Sequence, residues 1–338
     1  MSRPPFFTIG IPTYNRAALL GPTIEAALSQ SFEDFELLIS DNASVDETRS
    51  VVAQFKDPRI HYHRNESNIG PVNNFTSMVK KCESTFFVLN QDDDLLHKDF
   101  LLRCHQAVKD KPEVTLYGCP MWRENPNRGY TACLLRSPKG FTHRYGLKDE
   151  IQYLDGKIFA VRLLDPVYFF LHPAIAMRNE TLQQTGGYYS DTRCSADIIT
   201  TARVLLKGTL AYDPRPGAVF SNHSANASSN MSRAERKGLF QQTFTQLIAT
   251  LDKEGVNWQS ILSKELENYS TQDLFQAFYE WIYYDSPITL QRIGWNNLRK
   301  AWPGNAFSFA RKCASRLGFK HLGHFLLKNS LQRNSAPK

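Results

Sequence analysis

The chain has 338 residues, 42 % of them hydrophobic and 22 % charged, with a formal net charge of +7. That balance supports a packed core and excludes wholesale disorder, and no apolar run approaches the roughly 20 residues that span a bilayer. Six scattered cysteines without a C-x-x-C pair argue against a structural zinc site or a disulfide scaffold and fit a reducing, cytoplasmic setting.

In chain order, Phe6–Ile11 reads as a buried strand, and Leu20, Ile24, Ala27 and Leu28 then mark one face of a helix. Phe35–Ser40 is the next strand, Asp46–Phe55 a helix and Arg59–His63 a short strand. Val72, Phe75, Val79 and Cys82 form a helix stripe, Phe86–Leu89 a strand, Leu101, Cys104 and Val108 a helix face, and Val114–Tyr117 a strand. This alternation predicts an α/β fold with a mostly parallel sheet covered on both faces. Ligands of such sheets bind at the carboxyl ends of the strands.

Arg123–Gly129 reads as a turn-rich loop, Ala174–Met177 as a strand, and Asn179–Thr185 as a helix stopped by Gly186 and Gly187. Ser195 is a plausible N-cap for a helix running to about Lys207. Leu210–Phe220 is strand-like but broken by Pro214 and Pro216, and Ser221–Ser232 is a small-polar loop. From residue 233 the pattern is helical. The expected division is 1–230, with halves 1–118 and 119–230, followed by a helical, basic extension over 231–338.

That extension carries the positive excess. Ser286–Lys338 holds ten Lys or Arg and no acid, which leaves 30 basic and 33 acidic side chains before it. On a helical wheel Ala306, Phe307, Phe309, Ala310, Cys313 and Leu317 share one arc, opposite Arg311, Lys312 and Arg316. A basic amphipathic helix fits an anionic membrane surface. The alternative is a helix packed on the body with a solvated basic face. Aromatic and basic residues there fit lipid as well as nucleic acid, and no nucleic-acid partner is expected.

Polar residues follow the strands where ligands should bind: Thr13-Tyr14-Asn15-Arg16, Asp41-Asn42-Ala43-Ser44 and Asp92-Asp93-Asp94. Asp and Asn are ordinary at strand exits and caps. Three consecutive carboxylates are less so, because they repel unless something positive sits among them. Mg²⁺ and Mn²⁺ take such oxygen ligands together with phosphate oxygens.

The strings FTIGIPTYNR, ELLISDNASVDET, NIGPVNNF and FVLNQDDDLLHKDFL resemble the donor half of a family 2 glycosyltransferase of the GT-A fold. HPAIAMRNETLQQTGGYYSD, SADIITTARVLLKG and VFSNHSANASS resemble its acceptor half, so the resemblance covers about residues 6–230. It implies a Rossmann-like sheet and a metal-dependent, inverting transfer of sugar from a nucleotide-sugar, with a UDP-sugar favoured, to a glycan or lipid-linked hydroxyl. Asp197, near the start of a helix, would be the catalytic base. Pro12, Thr13, Tyr14, Asn15, Asp41, Asn68, Gly70, Asn74 and Asp92 would meet the donor. Asp93, Asp94 and His223 would hold Mn²⁺ or Mg²⁺, and His172 would line the acceptor site. Gln91 stands where the family's D-x-D-D pattern has its first acid. Bland readings stand beside these: Asp41 as an Asx turn, Asp197 as a helix-dipole partner, His223 as a surface residue. The competing functions are a non-catalytic sugar or nucleotide-binding module and a sugar-1-phosphate nucleotidyltransferase. The latter is disfavoured because PTYNR lacks a Gly-rich phosphate loop. The expected location is cytoplasmic, peripheral at the inner face of the membrane.

Overall fold

A computed structural model describes residues 3–125, 129–133, 148–164, 172–188, 196–221 and 231–267. The donor half is built from β1 (Phe7–Thr13), α1 (Ala17–Leu28), β2 (Phe35–Asp41), α2 (Thr48–Ala53), β3 (Ile60–Arg64), α3 (Pro71–Lys81) and β4 (Phe86–Leu89). Then come β5 (Leu95–Leu96), α4 (Phe100–Val108), β6 (Val114–Gly118), β7 (Met121–Asn125), β8 (Gly129–Cys133), β9 (Gln152–Asp155) and α5 (Gly156–Arg162). The rest is β10 (Ile175–Arg178), α6 (Asn179–Gln184), α7 (Ala196–Leu205), β11 (Thr209–Tyr212), β12 (Ala218–Phe220), α8 (Arg233–Lys253) and α9 (Trp258–Glu267).

Among the described residues, one sheet has the order β3-β2-β1-β4-β10-β6-β11-β9 and a smaller one the order β5-β12-β7-β8. The pairs β3·β2, β2·β1, β1·β4 and β6·β11 are parallel, whereas β10 runs antiparallel to both β4 and β6. The sheet is therefore mostly parallel, as expected, with one reversed strand, β10, at its centre and another, β9, antiparallel to β11 at its edge. A fully buried strand is apolar on both faces, so its pattern carries no sign of direction.

Side chains alternate across the sheet. Phe7, Ile9, Leu37, Ile39 and Val88 face one core with α1 and α4, while Leu38, Phe87, Leu89 and Leu116 face the other with α3, α5 and α7. Each fully buried side chain of this kind is worth about 1.5–3 kcal/mol relative to exposure. Gly10 is required by closeness: a Cβ there would lie 2.6 Å from the Phe87 ring. The second core runs across residue 230, because Phe244, Leu247, Ile248, Leu251 and Trp258 from α8 and α9 belong to it.

The expected loop over Arg123–Gly129 needs correction. Arg123–Asn125 ends β7 and Gly129 begins β8, and the two strands pair antiparallel. The Asn and Pro signals mark the connection only; pairing with β8 extends β7 through Glu124 and Asn125, residues of low β-propensity. Among the described residues no helix is long and apolar enough to cross a membrane. His223 and the helix expected over 306–317 lie outside the described residues.

Candidate active site

The strand exits β1, β2 and β4 lie side by side on one edge. Because β10 is reversed, its start meets the same edge, with Ile175 opposite Gly118. α7 precedes β11, which runs parallel to β6, so the first turn of α7 also begins there. The residues expected to act on donor and acceptor are thus carried to one side of one sheet, with Asp93 after β4 and Asp197 at the start of α7.

The β1 and β2 exits are tied together. Asn15, at φ +53°, donates its backbone N–H to Ser44 Oγ at 2.9 Å and accepts from Val45 N at 2.8 Å. Asp46 accepts from Ala17 N at 3.0 Å, at the start of α1, and from Thr48 N at 3.1 Å, at the start of α2. Pro12 and Thr13 are buried, and Tyr14 is 44 % exposed beside them.

Asp41 is fully buried. Its Oδ1 accepts from Ser44 N at 2.7 Å and its Oδ2 from the Tyr62 hydroxyl at 2.6 Å, with Arg64 Nε 3.7 Å away. Burial, then the bond to Asp41, pushes the Tyr62 phenol well up, so it stays a donor. The carboxylate therefore forms the turn that the sequence allowed as a bland reading, and any base contact must use a remaining lone pair.

An amide network holds the segment before α3. Asn42 donates to Asn68 Oδ1 at 2.8 Å and accepts from Asn65 Nδ2 and Ile69 N. Asn74 accepts from Ser40 Oγ at 2.7 Å and Asn65 Nδ2 at 3.0 Å, and donates to Ser40 O. Asn74 is thus buried behind the rim, while Asn68 is exposed on it. Gly70, at φ +83°, admits Pro71 at the first turn of α3, a conformation L side chains rarely adopt.

The acidic turn divides by direction. Asp94 is buried, accepts from Ser221 N at 3.0 Å, and is pushed well up by burial and then by Asp93. Its backbone partner follows β12, which pairs with β5, so this carboxylate fastens the small sheet to the acidic turn. Asp92 is pushed up to about 6 by burial and then by the Asp93 charge, and its Thr13 neighbour has no well-aligned hydrogen bond of its own. Asp93 is the outward carboxylate, with Arg16 Nη1 3.4 Å from its Oδ2. Among the described residues no three His, Cys, Asp or Glu side chains converge as a metal cluster.

At the other end of the edge, His172 and Tyr188 are both buried, with Nε2 and the phenol oxygen 3.4 Å apart. Burial pulls His172 down to about 3, so the ring is neutral, and its Nδ1 has no partner. Asp197 is half-buried in the first turn of α7. Its Oδ1 accepts from Ile198 N at 2.9 Å, yet burial outweighs that bond and pushes the carboxyl up to about 6. The Asp197 charge adds to burial in raising the Tyr188 phenol.

Three residues of this edge did not stand out in the sequence. Tyr62 and Arg64 reach Asp41 from β3, where Tyr62 was one more strand residue and Arg64 lay just past the expected strand. Arg16 sits in the PTYNR string itself, and only its closeness to Asp93, 77 positions on, gives it a role.

The family model described as "Glycosyl transferase family 2" matches residues 8–181. A Campylobacter jejuni protein named GalNAc(5)-diNAcBac-PP-undecaprenol beta-1,3-glucosyltransferase is 35 % identical over 95 residues, 27 % of this chain and 31 % of that protein. The Salmonella typhimurium abequosyltransferase RfbV is 31 % identical over 131 residues, 36 % of this chain and 39 % of that one. The matches thus span well under half the length of these relatives. Among solved structures, the 1–349 portion of S. aureus TarS in complex with UDP-GlcNAc has a TM-score of 0.53 at 14 % identity, covering 79 % of this chain and 82 % of that one. The mannosyltransferase PcManGT from Pyrobaculum calidifontis, in complex with GDP-Man and Mn²⁺, has a TM-score of 0.52 at 17 % identity, covering 96 % and 84 %. Identities this low speak for the fold alone, and that fold is GT-A.

Proposed function

We propose a specific chemistry for this chain, which belongs to glycosyl transferase family 2: it moves a sugar from a nucleotide-sugar to an acceptor hydroxyl, with inversion, in glycan or polysaccharide assembly. The observation that carries the reading is the arrangement along one sheet edge: an outward carboxylate, Asp93, follows β4, and a carboxyl pushed up to about 6, Asp197, opens α7. A UDP-sugar is the favoured donor, in keeping with the UDP-GlcNAc bound by the S. aureus structure. A lipid-linked glycan is the favoured acceptor, in keeping with the undecaprenol named for the C. jejuni relative.

In this reading Thr13, Tyr14 and Asn15, with Asp41 behind them, border the nucleotide, and Asn68 and Gly70 close over it. The amide network fixes this rim before a donor arrives, which reduces what binding must order. Asp197 accepts the proton of the acceptor hydroxyl while that oxygen bonds to the anomeric carbon, and the nucleoside diphosphate leaves with the electrons of the broken bond. A base near pH 6 is charged at neutral pH and still basic enough to take a proton in the transition state. His172, neutral with an open Nδ1, suits an uncharged sugar hydroxyl nearby.

The residues present fit a divalent cation. Hard Mg²⁺ or Mn²⁺ needs only one or two carboxylates when phosphate oxygens complete its shell. Asp93 faces outward, and its charge already disfavours ionisation of Asp92, a crowding that a cation relieves. Asp93 would hold the cation, with His223 as the further candidate; Asp94, occupied by Ser221, is the weaker one. Such an ion would neutralise charge on the departing diphosphate.

A thermal-shift screen against UDP-, GDP- and dTDP-sugars with Mn²⁺ tests the donor reading, because a ligand of the native state raises its apparent stability. Nucleotide release from the stabilising donor then separates an enzyme from a binding module. The basic segment after Asp285 is read as a contact for anionic membrane, each Lys or Arg near such a surface being worth roughly 1 kcal/mol. Liposome co-sedimentation should fall when the chain is cut before residue 304 and at high salt; equal sedimentation of cut and full chains contradicts it.

A further inference from the structure

Arg16 follows β1 and Asp93 follows β4, and these strands are parallel neighbours. Their side chains meet at 3.4 Å and stay partly open, 24 % and 11 % exposed. The other two carboxylates of the turn do not compete for this space. Asp92 is 8 % exposed and Asp94 is 1 % exposed with its oxygen on Ser221 N. At the end of β1, Thr13 is 3 % exposed and its hydroxyl lies against Asp92. Arg64, the neighbouring arginine of this edge, is committed elsewhere: it donates to Ser44 O at 3.0 Å and lies against Asp41. Among the described residues, the crevice between β1 and β4 thus holds the Arg16 guanidinium beside the Asp93 carboxylate.

A nucleoside diphosphate entering that crevice brings about two negative charges. Asp93 repels it, and Arg16 is the group that attracts it. The guanidinium offers a planar fork of donors that matches phosphate oxygens, and it is already turned toward the acidic turn. Resting on the proposed donor reading, we infer that Arg16 is a ligand of the donor's diphosphate: its guanidinium leaves Asp93 for phosphate oxygens when the nucleotide enters, and this frees Asp93 for a cation. With the donor absent, Arg16 neutralises Asp93; with it present, Arg16 neutralises phosphate. As the anomeric bond breaks, charge concentrates on the diphosphate, and a donor already in place stabilises it without further reorganisation. The chain also places Gln91 at the first position of the acidic motif, so fewer negative charges oppose this approach.

The test is isothermal titration of the full chain with UDP, GDP and dTDP, each compared with its nucleoside, in Mg²⁺ and again in EDTA. Arg16→Gln should weaken the diphosphate about tenfold to a hundredfold, the range of a hydrogen bond to a charged group. It should change nucleoside affinity by no more than about twofold. Arg16→Lys should fall between, since it keeps the charge and loses the fork. The melting temperature should hold, because the backbone carbonyl of Arg16, not its side chain, receives Leu19 N and Leu20 N at the start of α1. Equal weakening of nucleoside and diphosphate makes Arg16 a structural residue and overturns the inference, as does undiminished diphosphate affinity. If the unmutated chain binds none of the three diphosphates, the donor reading itself fails and takes this inference with it.

Discussion

The two ends of the functional edge are built differently. At the proposed donor end, the side chains of Asn42, Asn65, Asn68 and Asn74 satisfy one another, and Asp41 has a partner on each oxygen. At the proposed acceptor end, His172 Nδ1 and the hydroxyls of Thr200 and Thr201, one turn after Asp197, are buried with no partner among the described residues. The first is a cradle held by hydrogen bonds and ready before its ligand. The second works through burial, which pulls His172 down to about 3 and pushes Asp197 up to about 6. Satisfied networks fix shape, whereas desolvation sets protonation.

The contrast is broken most forcefully by Asp197→Asn. The variant keeps the shape and loses the basic site, so transfer should drop at least about a hundredfold while donor affinity holds. Near-native turnover would return Asp197 to the role of a helix-dipole partner. Next in size, Asp93→Ala should weaken nucleotide-sugar binding by about tenfold or more, the scale of a lost charged contact, and EDTA should match it. Equal affinity with and without metal ends the cation role.

Asn74→Ala probes the cradle alone. It strips Ser40 and Asn65 of their shared acceptor and should cost about 1–3 kcal/mol in a denaturant titration. The pH limb of transfer should not move. The smallest effect concerns stability at the acceptor end. The folded pKa of Asp197 is raised, so its contribution is full below the ordinary 3.8 and is lost as pH rises through about 6. Asp197→Asn should therefore melt slightly higher than the unmutated chain at pH 8 and show no such gain at pH 4. A lower melting temperature at pH 8 would favour the dipole role.

The donor half was legible because its signals are local. Short apolar runs mark β1, β2 and β4, period-3.6 stripes mark α1 and α3, and strand exits carry the polar turns. Asp197 at a helix start came from the resemblance. What escaped depends on contacts distant in sequence. Tyr62 reaches Asp41 across 21 positions, Arg16 reaches Asp93 across 77, and Tyr117 reaches Asp213 across 96. The last pair, with Arg103 and Arg215, clasps the turn before β12, where two prolines suggested only an interruption. The hairpin of β7 and β8 escaped because Arg, Glu and Asn are poor strand formers until a neighbour pairs with them. The amide network explains the Asn-rich strings, yet no single Asn shows in sequence whether it is exposed at the rim, as Asn68 is, or buried in the frame, as Asn74 is.

The most direct test of the account is the pH profile of nucleotide release in the presence of acceptor, measured on the unmutated chain and on Asp197→Asn. The base must be ionised to act, so the rate of the unmutated chain should fall about tenfold per pH unit below an apparent pKa near 6. The residual rate of the Asn variant should lack that limb. A profile flat down to pH 5, or a limb that survives in the variant, would contradict the assignment of Asp197 as the base.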